Sequence, residues 1–306
     1  MGTETQTTAH FAPWIRLVSP TGVLLGNSST GTGASNIAVN APVSGTYTVI
    51  VGSYLSGYYD GTGSYLLTLA KGPGAVVVSN GDEGGPMTDG ATYAGNIYQG
   101  DFDTWTFTAT QGDYIALSMG AVSPISAHFA PWIRLVSPTG VLLGNSSTGQ
   151  GASDIAATAP TSGTYTVIVG SYLSGYFDGT GSYLLTLAQG PGAVVVSNGD
   201  EGGPMTNGAN AGSIYQGDFD TWTFTATQGD HITLSMGAVT PVSAHFAPWM
   251  RLVSPTGVLL ANSSTGAATA QITVTAPTSG TYTVIVGSYL SGYYDGTGNY
   301  LLTLTR

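Results

Sequence analysis

The sequence predicts an all-β protein made of tandem antiparallel β-sandwich modules, jelly-roll-like, of about 117 residues each. Three observations carry this expectation. Thr, Val, Tyr and Ile occur in short runs punctuated by 46 Gly and 15 Pro, the composition of strands joined by tight turns. Charged helix formers are scarce, since Lys, Arg and Glu together number eight. Finally, HFAPWIRLVSPTGVLLGNSSTG begins at His10, recurs at His128 and returns at His245 as HFAPWMRLVSPTGVLLANSSTG. Spacings of 118 and 117 residues are far longer than a solenoid unit and suit one sandwich domain.

The repeat divides into a front half, about Gly74 to Met119, and a rear half, about Gly120 to Ala188. Residues 1–70 then read as an incomplete module with the rear half only, and 71–188 and 189–306 as complete modules. Met1-Gly2 aligns with Met119-Gly120 and Met236-Gly237, so the chain starts in mid-repeat. The expectation is a piece of a longer repetitive polypeptide, or a subunit cut within a module.

In the middle repeat the strands follow from β-branched alternation bounded by Gly, Pro, Asn or Asp. They are expected at Ala75–Ser79, Asn96–Gln99, Thr104–Thr110, Tyr114–Met119, Trp132–Val136, Val141–Asn145, Asp154–Ala159, Thr164–Gly170 and Ser182–Ala188. The turns between them are Gln-Gly-Asp (111–113), Ser-Pro-Thr-Gly (137–140), Thr-Ser-Gly (161–163) and Asp-Gly-Thr-Gly (178–181). Within Thr104–Thr110, Trp105 and Phe107 share one face and the threonines the other, the pattern of a half-buried strand.

Charge excludes several functions. A net charge of −11 with five basic residues argues against nucleic acid and against anionic membrane surfaces. No apolar run reaches the ~20 residues of a membrane helix. The absence of Cys removes thiolate metal sites and disulfides. Met1 to Ala9 has neither the basic nor the apolar region of a signal peptide. TGTG (30–33) and DGTGSY lack the Lys and the following helix of a phosphate loop.

The acidic residues are unevenly placed. Nine of 16 fall in two stretches, Ser79–Phe107 and Ser197–Phe224, with no Lys or Arg inside either. Each stretch holds an Asp-Glu pair (Asp82, Glu83; Asp200, Glu201) and then two aspartates (Asp101, Asp103; Asp218, Asp220). Asp101 and Asp103 share the parity of Trp105 and Phe107 and therefore sit at the rim of the core, where an unpaired carboxylate is costly. A hard cation with six to eight oxygen ligands, Ca²⁺ above all, resolves that cost. The plainer alternative is that the aspartates cap a turn by accepting backbone N–H bonds.

GDEGGPMTxG, GDFDTWTFTATxGD, WIRLVSPTGVLL, APxSGTYTVIVGSY and GTGSYLLTL, in this order, resemble the bacterial pre-peptidase C-terminal domain. The resemblance covers the chain from His10 onward and extends to tandem modules of long secreted bacterial proteins. It implies a jelly-roll-like sandwich, an extracellular or cell-surface setting and a non-catalytic role, as in the calcium-dependent collagen-binding modules of clostridial collagenases. It also implies that structural Ca²⁺ is held by Asp82 or Glu83 with Asp101 and Asp103, and by Asp200 or Glu201 with Asp218 and Asp220. The entering segment, Asn-Gly-Asp-Glu-Gly-Gly-Pro, departs from the Glu-x-Asn-Asp of many relatives.

Other repeated residues suggest surfaces. Asn27, Asn145 and Asn262 open Asn-Ser-Ser sequons, candidate glycosylation positions or plain polar turns. The loop residues Tyr54, Tyr58 and Tyr59, with Tyr172, Tyr176 and Phe177, and Tyr289, Tyr293 and Tyr294, form a candidate contact surface for a neighbouring module, a protein or a sugar. His10, His128 and His245, and Arg16, Arg134 and Arg251, read as packing residues, the Arg stacking on Trp or pairing with an Asp of the next module. No nucleophile has a base at a recognisable spacing, so no catalytic residue is expected.

The expected function is a secreted, non-enzymatic structural protein whose calcium-stabilised modules assemble head-to-tail into an extracellular fibre or surface layer. A neighbouring chain would complete the N-terminal half-module, because half a sandwich exposes an apolar face and open edges. The alternative is an accessory region of a secreted protease or other hydrolase that binds collagen, polysaccharide or cells.

Overall fold

The computed structural model describes residues 1–306 and contains strands, turns and loops without a helix. Residues 71–188 fold as two facing sheets. One has five strands in the order Leu142–Ser146, Pro131–Val136, Gly163–Ser171, Asp103–Ala109, Gly84–Pro86. The other has four, in the order Ala152–Thr158, Tyr114–Pro124, Gly181–Gly190, Thr92–Ile97. Residues 189–306 repeat both sheets, from Gly202–Pro204 to Gly298–Thr305. Each sandwich encloses its own core of 20 buried residues, with Trp105, Phe107, Tyr165, Leu185 and Leu187 in the first. Strand alternation builds it. Along Asp103–Ala109 the inward residues Asp103, Trp105, Phe107 and Ala109 are buried, while the threonines between them are partly or fully exposed.

Eight of the nine strands expected in the middle repeat are present, within a few residues at their ends. Ala75–Ser79 is not one of them. This run pairs with nothing and leaves Val77 90% exposed; the sheet edge is taken by Gly84–Pro86, which runs parallel to Asp103–Ala109. That parallel pair, repeated at Gly202–Pro204, departs from the all-antiparallel expectation. Gly84 has φ of +142° and its Cβ position lies against the Thr104 backbone, so a β-branched run cannot take that place.

Residues 1–70 form half a sandwich. Three strands, Leu24–Ser29, Pro13–Val18 and Thr48–Ser53, face one pair, Gly2–Gln6 with Gly63–Leu66. The strand that would flank Thr48–Ser53 is absent, and apolar side chains that are inside elsewhere are outside here. Leu69 is 81% exposed where its counterpart Leu187 is 0% exposed.

The modules also pack on each other. A third apolar cluster joins Tyr114, Ala116 and Ala188 of the middle module to Phe219, Trp249, Val253 and Ile285 of the last. At its edge Arg251 Nη2 donates to Asp154 Oδ2 at 3.0 Å, both side chains buried, with the guanidinium 3.8 Å from the Trp249 ring centre.

Candidate metal centre

In the middle module, Asp82, Asp101 and Asp103 present carboxylate oxygens within 4.8 Å of one another, and in the last module Asp200, Asp218 and Asp220 do the same. Three elements converge to make each cluster. The loop before the short parallel strand supplies Asp82, the tight turn after Thr92–Ile97 supplies Asp101, and Asp103 opens the next strand on its core-facing side.

The aspartates do different work. Asp101 is the turn cap that the plainer reading described: its Oδ1 accepts from Phe102 N at 2.8 Å and Thr68 Oγ1 at 3.1 Å, and its Oδ2 from Tyr98 N at 3.5 Å. Asp103 caps nothing. Its Oδ2 accepts the Tyr183 O–H at 2.5 Å, while its Oδ1 is buried with no partner. Tyr183 is held in turn by Trp105 Nε1 at 3.1 Å. In the last module Tyr300 donates to Asp220, Trp222 Nε1 donates to Tyr300 at 2.9 Å, and Oδ1 of both Asp218 and Asp220 lacks a partner.

Glu83 and Glu201 stand beside the clusters rather than in them. Glu83 Oε1 accepts from Asn96 Nδ2 at 2.9 Å, leaving Oε2 buried and unpaired. Glu201 Oε2 accepts from Ser213 N at 3.3 Å.

Buried carboxylates this close resist ionisation. Burial, with Asp101, Asp82 and Glu83 nearby, pushes Asp103 up to about 9 against the opposing hydrogen bond from Tyr183. Burial and the Asp200 charge push Asp218 up to about 8, and burial with Asp218 raises Asp220 well above the carboxylate range. No Lys or Arg lies in either stretch to offset this. The donor set therefore fits a hard divalent cation: all oxygen, clustered, anionic when deprotonated, with unpaired buried lone pairs. Nothing in it resembles a nucleophile with an adjacent base.

The clusters lie at the seams between modules. Thr68 reaches Asp101 from the preceding half-module. Across the next seam, Thr92 Oγ1 donates to Asp200 Oδ2 at 3.1 Å and Thr186 Oγ1 to Gly217 O at 3.2 Å.

The remaining singled-out residues have local roles. Asn27, Asn145 and Asn262 each accept the indole N–H of Trp14, Trp132 and Trp249, at 2.8, 2.7 and 2.5 Å. His10, His128 and His245 stack on Tyr58, Tyr176 and Tyr293 and hydrogen bond to Asp60, Asp178 and Asp295. Tyr289 and Tyr294 pack against the apolar cluster at the second seam, while Tyr59 is 72% exposed. Tyr54 and Tyr59 are in tilted contact, as are Tyr172 and Phe177.

Sequence reasoning missed the tyrosine clamp, the threonines across the seam and Asp89. Asp89 is buried at the start of Ala91's loop, accepts from Gln189 N at 2.6 Å and is pushed up to about 7 by burial. The clamp had a signal: the Tyr of GTGSY or GTGNY recurs in each repeat at an inward position of its strand.

Residues 218–288 match the family described as the bacterial pre-peptidase C-terminal domain. Among solved structures, the pre-peptidase C-terminal domain of Bacillus anthracis collagenase is 20% identical, covering 35% of this chain and 96% of its own, with a TM-score of 0.28. The CUB1-EGF-CUB2 domains of rat MASP-1 are 7% identical, covering 72% of this chain and 100% of that one, with a TM-score of 0.21. Clostridium perfringens ZmpB, a catalytic domain with two CBM51 domains, is 8% identical, covering 69% and 34%, with a TM-score of 0.21. No curated protein matches the chain. The matched segment begins at Asp218 and includes Asp220, and the same motifs stand 117 residues earlier at Asp101 and Asp103; residues 218–288 are thus similar to the bacterial pre-peptidase C-terminal domain, and their motifs recur within the chain.

Proposed function

We propose that the chain is a non-catalytic, calcium-clasped array of sandwich modules that acts outside the cell as a stiff spacer or accessory region. The single observation behind this reading is the buried, unpartnered Oδ1 of Asp103 and of Asp220, each within a cluster of three carboxylates. An oxygen in that state costs stability unless a proton or a cation takes it. Calcium would take Asp82, Asp101 and Asp103 in one module and Asp200, Asp218 and Asp220 in the next. Glu83 and Glu201 would add charge close by, and the ion would have no catalytic task. Because Thr68, Thr92 and Thr186 tie these regions to the preceding module, the ion would stiffen the seam as well as the sandwich.

Thermal unfolding of the full chain with excess calcium and with chelator tests this. At free calcium about one hundred times Kd, each site adds about 2.7 kcal/mol. Coincident unfolding curves in the two conditions would end the proposal.

A second reading concerns assembly. Exposed Leu69 and the open edge of Thr48–Ser53 favour contact between residues 1–70 and front-half strands supplied by another chain, the step by which modules would extend into a fibre or surface layer. Analytical ultracentrifugation over a concentration series distinguishes a self-associating chain from a monomer. An accessory role beside a secreted hydrolase, with an extracellular protein or polysaccharide as ligand, would leave the chain monomeric.

A further inference from the structure

Each seam has a socket on the earlier module and a plug on the later one. The middle module's socket is the outward face of Tyr114–Pro124 and its neighbours. Ile115, Leu117 and Met119 point into the sandwich, while Tyr114, Ala116, Ser118 and Gly120 point outward and are buried only because the last module covers them. The plug is the Gln216-Gly217 turn with Phe219, Trp249 and Arg251. Gln216 Nε2 donates to Gly151 O at 2.9 Å, and Gly217 packs directly on Gly120. The same plug recurs one module earlier, where Gln99 lies over Gly33 and Gly100 over Gly2.

Two glycines shape the socket: a Cβ at Gly120 would overlap the Gln216-Gly217 backbone, a place the last module keeps as Gly237, and room for the Gln216 amide is left by Gly151. A Cβ there would overlap Gln216 Nε2, and one at Gly33 would overlap Gln99 Nε2. Neither glycine has a positive φ, so the backbone admits an alanine; the Gln amide would have to swing aside, which at Gly151 gives up the bond from Gln216 Nε2 to Gly151 O.

The last module has the socket's backbone without its chemistry. Its residue at the Gly151 position is Ala268, not Gly. Tyr114 is replaced by His231, Ala116 by Thr233, Asp154 by Gln271 and Ala188 by Thr305. Its inner residues are kept: Ile232, Leu234 and Met236 stand where Ile115, Leu117 and Met119 do. Inside, Ala270 and Val274 replace Ser153 and Ala157, and outside, Ser235 and Gly237 keep the places of Ser118 and Gly120. The outward changes put polar side chains where the middle module has a fitted apolar and acidic surface, the character of a solvent-facing cap.

We infer that the outward face of the last module is a closed socket, so that stacking in this register runs in one direction and stops there. A further module could follow only without docking. The Trp14, Arg16, Tyr54 and Tyr59 face of the first half-module belongs to a plug, and it finds no matching socket on the last module of a second copy. Contact between copies would have to use the open half-sandwich instead. The inference rests on packing at the seam and not on calcium.

The test transplants the closed socket into the middle module of the full chain: Tyr114→His, Ala116→Thr, Gly151→Ala, Asp154→Gln and Ala188→Thr. Each new residue is the one at the equivalent position of the last module, whose sandwich folds with it. Since the chain has no Cys, nitroxide labels placed at Ile125→Cys and Val242→Cys report the distance between modules by pulsed electron resonance. The expected result is a single narrow distance in the parent and a broad distribution in the variant. Elastase cleavage in the 191–197 segment should also rise about tenfold, following the open population. Gly151→Ala alone, a one-methyl change, should broaden the distribution partially and serves if the fivefold variant does not fold. An unchanged narrow distance with unchanged cleavage, in either folded variant, would overturn the inference. Calcium affinity is read in the same samples, so a failure of the clasp is distinguishable from a failure of the socket.

Discussion

The Tyr183 O–H donates to Asp103 Oδ2 across 80 residues of chain, fixing the carboxylate while its other oxygen stays buried without a partner. Tyr300 and Asp220 repeat this relationship in the last module. On the proposed function, a side chain held this way would be a ligand ready for the ion.

Replacing Tyr183 by Phe removes the donor and orphans the buried Trp105 indole N–H. The expected cost is about 1–3 kcal/mol of module stability by urea unfolding in chelator. Calcium affinity should weaken in the same variant, because Asp103 is no longer oriented.

Stability should depend on pH in opposite senses with and without calcium. Asp89, Asp218 and Asp103 are raised to about 7, 8 and 9 in the folded chain. Between their unfolded values and these, the folded state holds more protons than the unfolded state. In chelator their stabilisation is therefore complete only below the ordinary carboxylate range, falls as pH rises from there, and is fully lost once pH has passed about 7, 8 and 9 in turn. At fixed calcium the ion displaces protons from Asp103 and Asp218, so the stabilisation it confers should grow over the same window. Urea titrations at several pH values, with and without calcium, read both slopes. Asp89→Asn, the residue found at Asn207 in the last module, should remove the part of the chelator slope that runs from the ordinary carboxylate value and ends near 7.

Arg251→Ala leaves Asp154 buried without its partner, and Asp154→Ala does the converse. Each should cost roughly 3–5 kcal/mol, read as loss of coupling between the last two modules. The counterpart Arg134 lies over Trp132 at 4.0 Å, and the position equivalent to Asp154 in the first half-module is Asn36. Arg134→Ala should therefore cost only about 0.5–1 kcal/mol, the worth of an exposed cation–π contact.

Leu187→Ala empties a fully buried site and should cost about 2–5 kcal/mol. The identical substitution at Leu69, 81% exposed, should change stability by no more than about 0.5 kcal/mol. Differential scanning calorimetry of the two variants tests whether residues 1–70 are open in solution. Equal losses would mean that something covers them.

Much of this was legible in the sequence because the repeat states each element two or three times. The strand Asp103–Ala109 follows from the alternation of Trp105 and Phe107 with threonines, and the acidic clustering from the absence of basic residues around Asp82, Asp101 and Asp103. Ala75–Ser79 misled because β propensity describes a fit to a sheet surface, and the available edge goes to Gly84–Pro86. The Tyr183 clamp had only the recurrent Tyr as a signal. For Arg251 the stacking on Trp and a pairing with an Asp of another module were expected, but the partner, Asp154 of the preceding module, was not legible. These pairs join residues 80 to 97 apart whose proximity depends on sheet order and module packing. The socket was legible only in part: Ala268 in place of Gly151 is visible in the alignment of repeats, but its meaning requires Gln216 to be in place.

Titration calorimetry of calcium into the chelator-stripped full chain tests the central claim most directly. Two clusters predict two sites per chain, with Asp103→Asn abolishing one and Asp220→Asn the other. The absence of binding, or binding that neither substitution alters, would contradict the account.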